Sequence, residues 1–286
     1  MTALFGPSGN SQSFYDEGHK STTEAPEWLK KRGLDAFEYS FGRGVRIREG
    51  TAREIGNAFV KEGITLSVHA PYYINLASTD EKKKKNTIRY FTESVTAAHW
   101  MGATRVIFHP GAVGKEERET AFGRALEFFS EIIHEVESLG YEEVRLCPET
   151  LGKINQLGSV EEVLRLCSLN RNVIPAIDFG HLHARTVGGI KSKDDYKRIL
   201  DMMEEGLADE RARKFHVHFS HIEYTKQGEK KHCDFKDEGF GPDFEPFAEL
   251  MVERNLGPTI ICESPTMMAE DARTMKDIYL KIKKAV

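Results

Sequence analysis

The sequence lacks any Cys-x-x-Cys pair. Its four cysteines, Cys147, Cys167, Cys233 and Cys262, stand far apart, which excludes zinc ribbons and thioredoxin-type exchange. Cys147 and Cys262 fall in apolar runs and read as buried thiols, in keeping with a reducing, cytoplasmic setting. No apolar run is long enough to cross a bilayer, and Met1 to Tyr15 does not follow the basic-then-apolar order of a signal peptide. Membrane insertion and secretion are therefore not expected. Nor is there a surplus of positive charge: 40 Lys and Arg stand against 45 Asp and Glu, a net charge of -5 at pH 7. This excludes binding of polyanions by bulk charge alone, while a local basic rim or cations held in an acidic cleft stay open. No Pro/Gly/Ser-rich linker divides the 286 residues, so one domain spanning 1–286 is expected.

What is present is a repeat of short apolar, often β-branched runs. They are Ala3 to Phe5, Ala36 to Tyr39, Ile64 to Val68, Arg105 to Phe108, Val144 to Cys147, Val173 to Ile177, Phe215 to Phe219 and Thr259 to Cys262. Their spacing of roughly 30 to 45 residues is that of a strand–helix unit with insertions. Segments with helical periodicity lie between them: Thr87 to Met101, Glu119 to Leu139, Ser159 to Leu169, Lys193 to Glu205 and Asp243 to Arg254. Ser159 with Glu162 reads as a capping box, and Gly102 and Gly140 read as helix ends. The run Glu81 to Lys85 reads as a solvated helix start, with a phosphate-binding patch as the alternative. Eight such units predict a (β/α)8 TIM barrel, usually about 250 residues long. A doubly wound sheet is the second choice, but no G-x-G-x-x-G follows any run.

Barrels carry their chemistry at the C-terminal ends of the strands. Six consecutive runs end in or just before His69, His109, Glu149, Asp178, His218 and Glu263. Imidazoles and carboxylates without thiolates form an N/O donor set suited to zinc, manganese or iron, and more donors are present than one ion needs. Crowded carboxylates would repel one another unless cations lay between them. His99 and His134 read as surface or inter-layer residues. His216, sharing a strand face with His218, is expected deeper in the barrel behind the ligands.

These motifs resemble the endonuclease IV family of metal-dependent apurinic/apyrimidinic endonucleases. The matching pieces are His69 with Tyr72 and Ile74-Asn75-Leu76, His109-Pro110-Gly111, Glu149-Thr150-Leu151-Gly152-Lys153, Asp178-Phe179-Gly180-His181, His218 and Ile261-Cys262-Glu263. The resemblance implies a TIM barrel with two or three zinc ions, manganese being possible at one. His69, His109 and Glu149 would hold the first; Glu149, Asp178, His218 and Glu263 the second; His181 and His232 a third. It also implies Glu149 and Glu263 as catalytic residues acting on duplex DNA with abasic sites. A monomer is the default expectation. Tyr72 resembles a residue that fills the DNA near the lesion, and Arg43 and Arg46 are the candidate DNA contacts where the family has its DNA-inserting loop. The family's third-site Asp-x-His is here Lys230-Lys231-His232. Glu229, Asp234 or His221 could stand in for the missing carboxylate, or Lys230 could act directly on a phosphate. Two rival readings stay open. One is a sugar isomerase or epimerase using one divalent metal on the same barrel, the other a non-catalytic binder of abasic DNA.

Overall fold

The computed structural model describes residues 1–285. In chain order its strands are β1 (Leu4–Pro7), β2 (Ala36–Ser40), β3 (Thr65–His69), β4 (Arg105–Phe108), β5 (Arg145–Pro148), β6 (Ala176–Asp178), β7 (His216–Phe219), β8 (His221–Thr225), β9 (Gly228–Cys233) and β10 (Thr259–Cys262). The helices are α1 (Gln12–Asp16), α2 (Ala25–Lys31), α3 (Glu49–Glu62), α4 (Glu81–Met101), α5 (Arg118–Glu137), α6 (Val160–Ser168), α7 (Phe179–Arg185), α8 (Lys193–Leu207), α9 (Glu245–Glu253) and α10 (Met268–Ala285). β2 to β5 pair in parallel as one half of a barrel, and β6, β7, β10 and β1 as the other. Two seams close it: Ser8 bridges Glu38 beside β1 and β2, while Leu146–Val173 and Glu149–Ala176 bridge β5 to β6. The eight barrel strands lie at the eight apolar runs.

Strand alternation divides the side chains into two sets. Phe37, Phe108 and Phe219 point outward and meet the helix layer: Phe37 lies 5.0 Å from Phe59 of α3, and Phe108 lies 4.7 Å from Phe91 of α4 and 5.2 Å from Phe129 of α5, centroid to centroid. Each such buried ring contributes about 1.5–3 kcal/mol. Their neighbours point inward, and many are polar: Glu38, Ser67, His69, Arg105, His216 and His218. Bulky apolar side chains usually fill that space. Stability therefore comes from the shell between strands and helices, and the polar interior is free for chemistry.

Local signals set the helix ends. α4 starts at Glu81, six residues before the periodic segment, because Asp80 caps it by accepting from the backbone N–H groups of Lys82 and Lys83. Lys82, Lys83 and Lys85 are exposed, as a solvated helix start requires. Ser159 and Glu162 form the reciprocal cap of α6. Missing from the sequence reading are α1, α2, α3, α7, α10 and the antiparallel hairpin β8–β9, which stands outside the barrel after β7. No helix among the described residues is long and apolar enough to cross a membrane.

Candidate metal centre

The barrel brings the six strand-end residues to one cavity, with Glu149 in the middle. His69 Nε2 and His109 Nε2 each lie 3.2 Å from Glu149 Oε2. On the other oxygen, His218 Nδ1 is 3.2 Å and His181 Nδ1 3.1 Å from Glu149 Oε1. His218 Nδ1 is also 3.6 Å from Glu263 Oε1, and His181 Nδ1 is 3.1 Å from Asp178 Oδ2. A tetrahedral zinc with ligands about 2.1 Å away keeps its donors about 3.4 Å apart. The donor atoms of His69, His109 and Glu149, and those of Glu149, Asp178, His218 and Glu263, lie within 4.8 Å of one another in each set. Both groups are thus spaced for a cation.

Neighbouring groups fix which ring nitrogen faces the cavity. His69 donates from Nδ1 to the Ala70 carbonyl at 2.8 Å, leaving Nε2 toward Glu149. Asp178 ends β6 and starts α7, its Oδ1 accepting from the His181 backbone N–H at 2.7 Å. Thr150 Oγ1 accepts from the Asp178 N–H at 2.8 Å and so ties β5 to β6 beneath the site.

The electrostatics leave a deficit of cations. Glu149, Asp178 and His218 are fully buried. Burial alone pushes the Glu149 carboxyl up, but the imidazoles of His218, His109 and His181 outweigh it and hold the group well below the usual carboxylate range. Asp178 is raised, by burial and by the nearby Glu263 and Glu149, against the pull of His181. Burial pushes His218 and His181 down; the surrounding carboxylates reverse this and carry both well above the ordinary histidine value. Glu149 Oε1, Asp178 Oδ2 and His218 Nδ1 are buried without a hydrogen-bond partner. An orphaned buried polar atom costs about 1–3 kcal/mol, more when charged. Three such atoms facing one space fit a cation, and no other group among the described residues hydrogen-bonds to them.

A third cluster sits at the edge. His181 Nε2 lies 3.6 Å from Glu229 Oε2, and His232 Nε2 lies 4.0 Å from Glu229 Oε1. His181 Nδ1 is hydrogen-bonded to the Thr150 carbonyl at 3.0 Å, and His232 Nδ1 to Ser220 Oγ at 2.7 Å, so both rings turn Nε2 toward Glu229. Lys230 faces away, exposed and paired with Glu223. The cause is a bulge. Glu223 pairs with Lys231 and Tyr224 with Glu229, so Lys230 is an extra residue in β9. An extra residue inverts the alternation beyond it, and Glu229 takes the face that a regular strand would give to residue 230. Gly152 makes room for it, since a Cβ there would sit 2.7 Å from Glu229 Cβ. Asp234 instead binds the Thr266 loop, and His221 stacks on Phe235 at 4.5 Å.

Around the mouth, Tyr72 is 58% exposed, its ring 5.4 Å from both His69 and His109. Its N–H donates to the Gly42 carbonyl at 3.2 Å, which ties it to the segment 41–48 carrying exposed Arg43 and Arg46. Lys153, Lys226, Lys230 and Lys231 stand exposed on the loop after β5 and on the hairpin, across the mouth from that segment. Asn75 is a turn residue, accepting from the Ala77 N–H at 3.1 Å. His99 pairs with Glu143 and His134 with the Ser130 carbonyl, both on the outer surface.

Sequence reasoning missed Glu38. It is fully buried on β2, with Oε1 2.9 Å from His218 Nε2 and Oε2 3.1 Å from His216 Nε2. The available signal was a carboxylate inside an apolar strand, which needs a buried partner. His216 lies behind His218 as expected, and burial pushes it down to about 4.

The chain is similar to several known proteins. An uncharacterized protein from Methanocaldococcus jannaschii is 33% identical over 96% of this chain and 96% of its own length. A probable endonuclease 4 from Mycoplasma pneumoniae is 28% identical over 56% of this chain, an alignment spanning 53% of that relative. Among solved structures, a D-tagatose 3-epimerase-like protein superposes with a TM-score of 0.68 at 18% identity, covering 91% of this chain and 93% of that one. Endonuclease IV from Thermus thermophilus gives a TM-score of 0.66 at 18% identity, covering 94% and 96%. At these identities the superpositions speak for the fold. The AP endonuclease 2 family model matches residues 26–279, and the chain belongs to that family of xylose isomerase-like TIM barrels.

Proposed function

We propose that this protein is a metal-dependent endonuclease that hydrolyses the phosphodiester 5′ to an abasic site in DNA, leaving a 3′-hydroxyl and a 5′-deoxyribose phosphate. The observation that carries this reading is the adjacency of three donor clusters: Glu149 belongs to the first two, and His181, 3.1 Å from Glu149, begins the third. His69, His109 and Glu149 would hold one cation; Glu149, Asp178, His218 and Glu263 a second; His181, Glu229 and His232 a third. Bound zinc, with manganese possible at one position, would supply neutralisation of the phosphate and an acidified water.

The chain's own groups do the rest. Glu263, less buried than Glu149, accepts a hydrogen bond from the attacking water and aims it at phosphorus; Ser8 Oγ, 3.5 Å from Glu263 Oε1, steadies that carboxylate. Glu149 spans the two inner clusters and fixes their separation. Tyr72 packs into the gap left by the missing base, whose absence lowers the cost of turning the sugar out of the stack. Arg43 and Arg46 on one side, and Lys230 with its lysine neighbours on the other, hold flanking phosphates. Such contacts give affinity without sequence preference. The similarity to proteins named probable endonuclease 4 supports this reading.

One observation favours a second reading. Glu149 and Glu263 flank His218 at 3.2 and 3.6 Å, a paired-carboxylate arrangement that also suits proton transfer on a sugar bound to a single ion. The test is incubation of zinc- or manganese-loaded protein with a labelled duplex carrying one stabilised abasic site, with the ends identified. Incision on the 5′ side, abolished in Glu263→Gln, supports the nuclease. Intact DNA from folded, metal-loaded protein overturns it, and epimerisation of a ketose by the same protein establishes the alternative.

A further inference from the structure

Directly below the metal centre the barrel holds a second polar group that the proposed reaction does not use. A lone carboxylate at the depth of Glu38 would cost several kcal/mol, and the structure surrounds it with partners. Ser67 Oγ donates to Glu38 Oε2 at 2.8 Å, and His216 Nε2 lies 3.1 Å from the same oxygen, a close contact whose angle makes no hydrogen bond. His218 Nε2 meets Oε1 at 2.9 Å. Behind His216, Arg105 Nη1 lies 3.4 Å from Nδ1. Arg105 is itself anchored, donating to the carbonyls of Phe215 at 3.1 Å and Lys214 at 2.9 Å.

A guanidinium only donates. His216 Nδ1 must therefore accept from Arg105, and its single proton sits on Nε2, facing Glu38. Glu38 Oε2 accepts from Ser67 and faces His216, and Oε1 takes the Nε2 proton of His218. This leaves His218 Nδ1, the orphaned atom of the central cluster, as the only nitrogen of that ring that can bind a cation. Elsewhere in the cavity His69 is held by a backbone carbonyl, His232 by a hydroxyl, and His181 by the Thr150 carbonyl with Asp178 and Glu149 beside it. Behind His218 the partner is a carboxylate with no other ligand role, and such a partner raises ligand basicity.

We propose that Arg105, His216 and Glu38 form a positioning relay that fixes His218 as an Nδ1 ligand and sets the affinity of the central cation. This rests on the reading of the cluster as a metal centre. The first measurement is ring-nitrogen NMR of zinc-loaded wild-type protein. A His218 proton on Nε2 with zinc on Nδ1 is expected; zinc on Nε2 overturns the proposal without any mutation. The second is chelator competition for zinc. Glu38→Gln keeps the shape but removes the charge, and its zinc affinity should fall about 10- to 100-fold. Ser67→Ala, which removes one hydrogen bond to Glu38 but leaves the relay intact, should bind zinc as the wild type does. Equal affinities in Glu38→Gln and wild type, with only the melting temperature reduced, show a purely structural role and overturn the relay while leaving the metal centre standing. A wild type that takes up no zinc overturns both.

Discussion

The inner and outer ends of the donor cluster are built differently. The inner end, Glu149 with Asp178 and His218, hangs on barrel strands, is fully buried and is fixed from below by Glu38. The outer end, Glu229 with His232, hangs on a hairpin, and the side chains of both are about a fifth exposed. The backbone that holds the inner residues also closes the barrel at the β5–β6 seam, and Glu149 serves two clusters at once, so a change there disturbs the donors of more than one ion. On the hairpin a single extra residue exchanges the ligand and the fold is untouched. The sequence departs from the family pattern at the end that tolerates departure.

The comparison can be broken most severely from the inner side. Glu149→Gln removes the charge and one of the two oxygens through which this residue joins both inner clusters. Metal analysis should show those ions lost, and incision should fall on the order of 10³-fold, since bound cations supply several kcal/mol of transition-state stabilisation. Circular dichroism should be unchanged. At the outer end, Glu229→Gln should cost one equivalent of metal and less activity; a loss of all metal would show that the two ends are not separable.

pH sharpens the contrast between metal-free and loaded protein. His218, His181 and His69 are raised above the ordinary histidine value because, despite burial, carboxylates surround them. Their contribution to stability is complete below about pH 6.5 and is lost as pH rises through the raised values. The metal-free protein should therefore melt at lower temperature as pH goes from about 6.5 to about 9. The loaded protein should do the reverse, because cations compete better as the imidazoles lose their protons. Parallel melting curves would refute the assignment of these rings as ligands.

Smaller effects are expected at the rim. Tyr72→Ala should weaken binding of abasic duplex by about 1 kcal/mol, roughly fivefold, and leave metal content unchanged. Deleting Lys230 should do least of all. It removes the bulge and joins Glu229 to Lys231-His232 in regular alternation, so the outer cation should be retained. Its loss would mean that the bulge geometry, and not the facing carboxylate, builds the outer cluster.

The barrel was legible in the sequence because its outward side chains form apolar runs, and the strand ends because His69, His109 and Asp178 stand directly after them. The hairpin was not. Ile222 and Cys233 are its buried apolar side chains, and Glu223, Lys226 and Lys230 between them leave no apolar alternation to read. Glu229 was one of several stand-ins that spacing could not separate, because a bulge is a change of register and leaves no mark in residue spacing. Glu38 was hidden by its own strand, where Phe37 and Tyr39 made the run look wholly structural.

The charged interior of the barrel has a consequence for how the protein persists in a cell. Cations that bind only the folded chain hold it folded by mass action, by about 4 kcal/mol when free metal exceeds Kd a thousandfold. The unfolded chain scatters Glu149, Asp178 and His218 and has no such site to offer. Under metal starvation the population of this protein would shrink through clearance of unfolded chains before any loss of catalysis in the survivors became visible. Its abundance would then report the cell's metal supply.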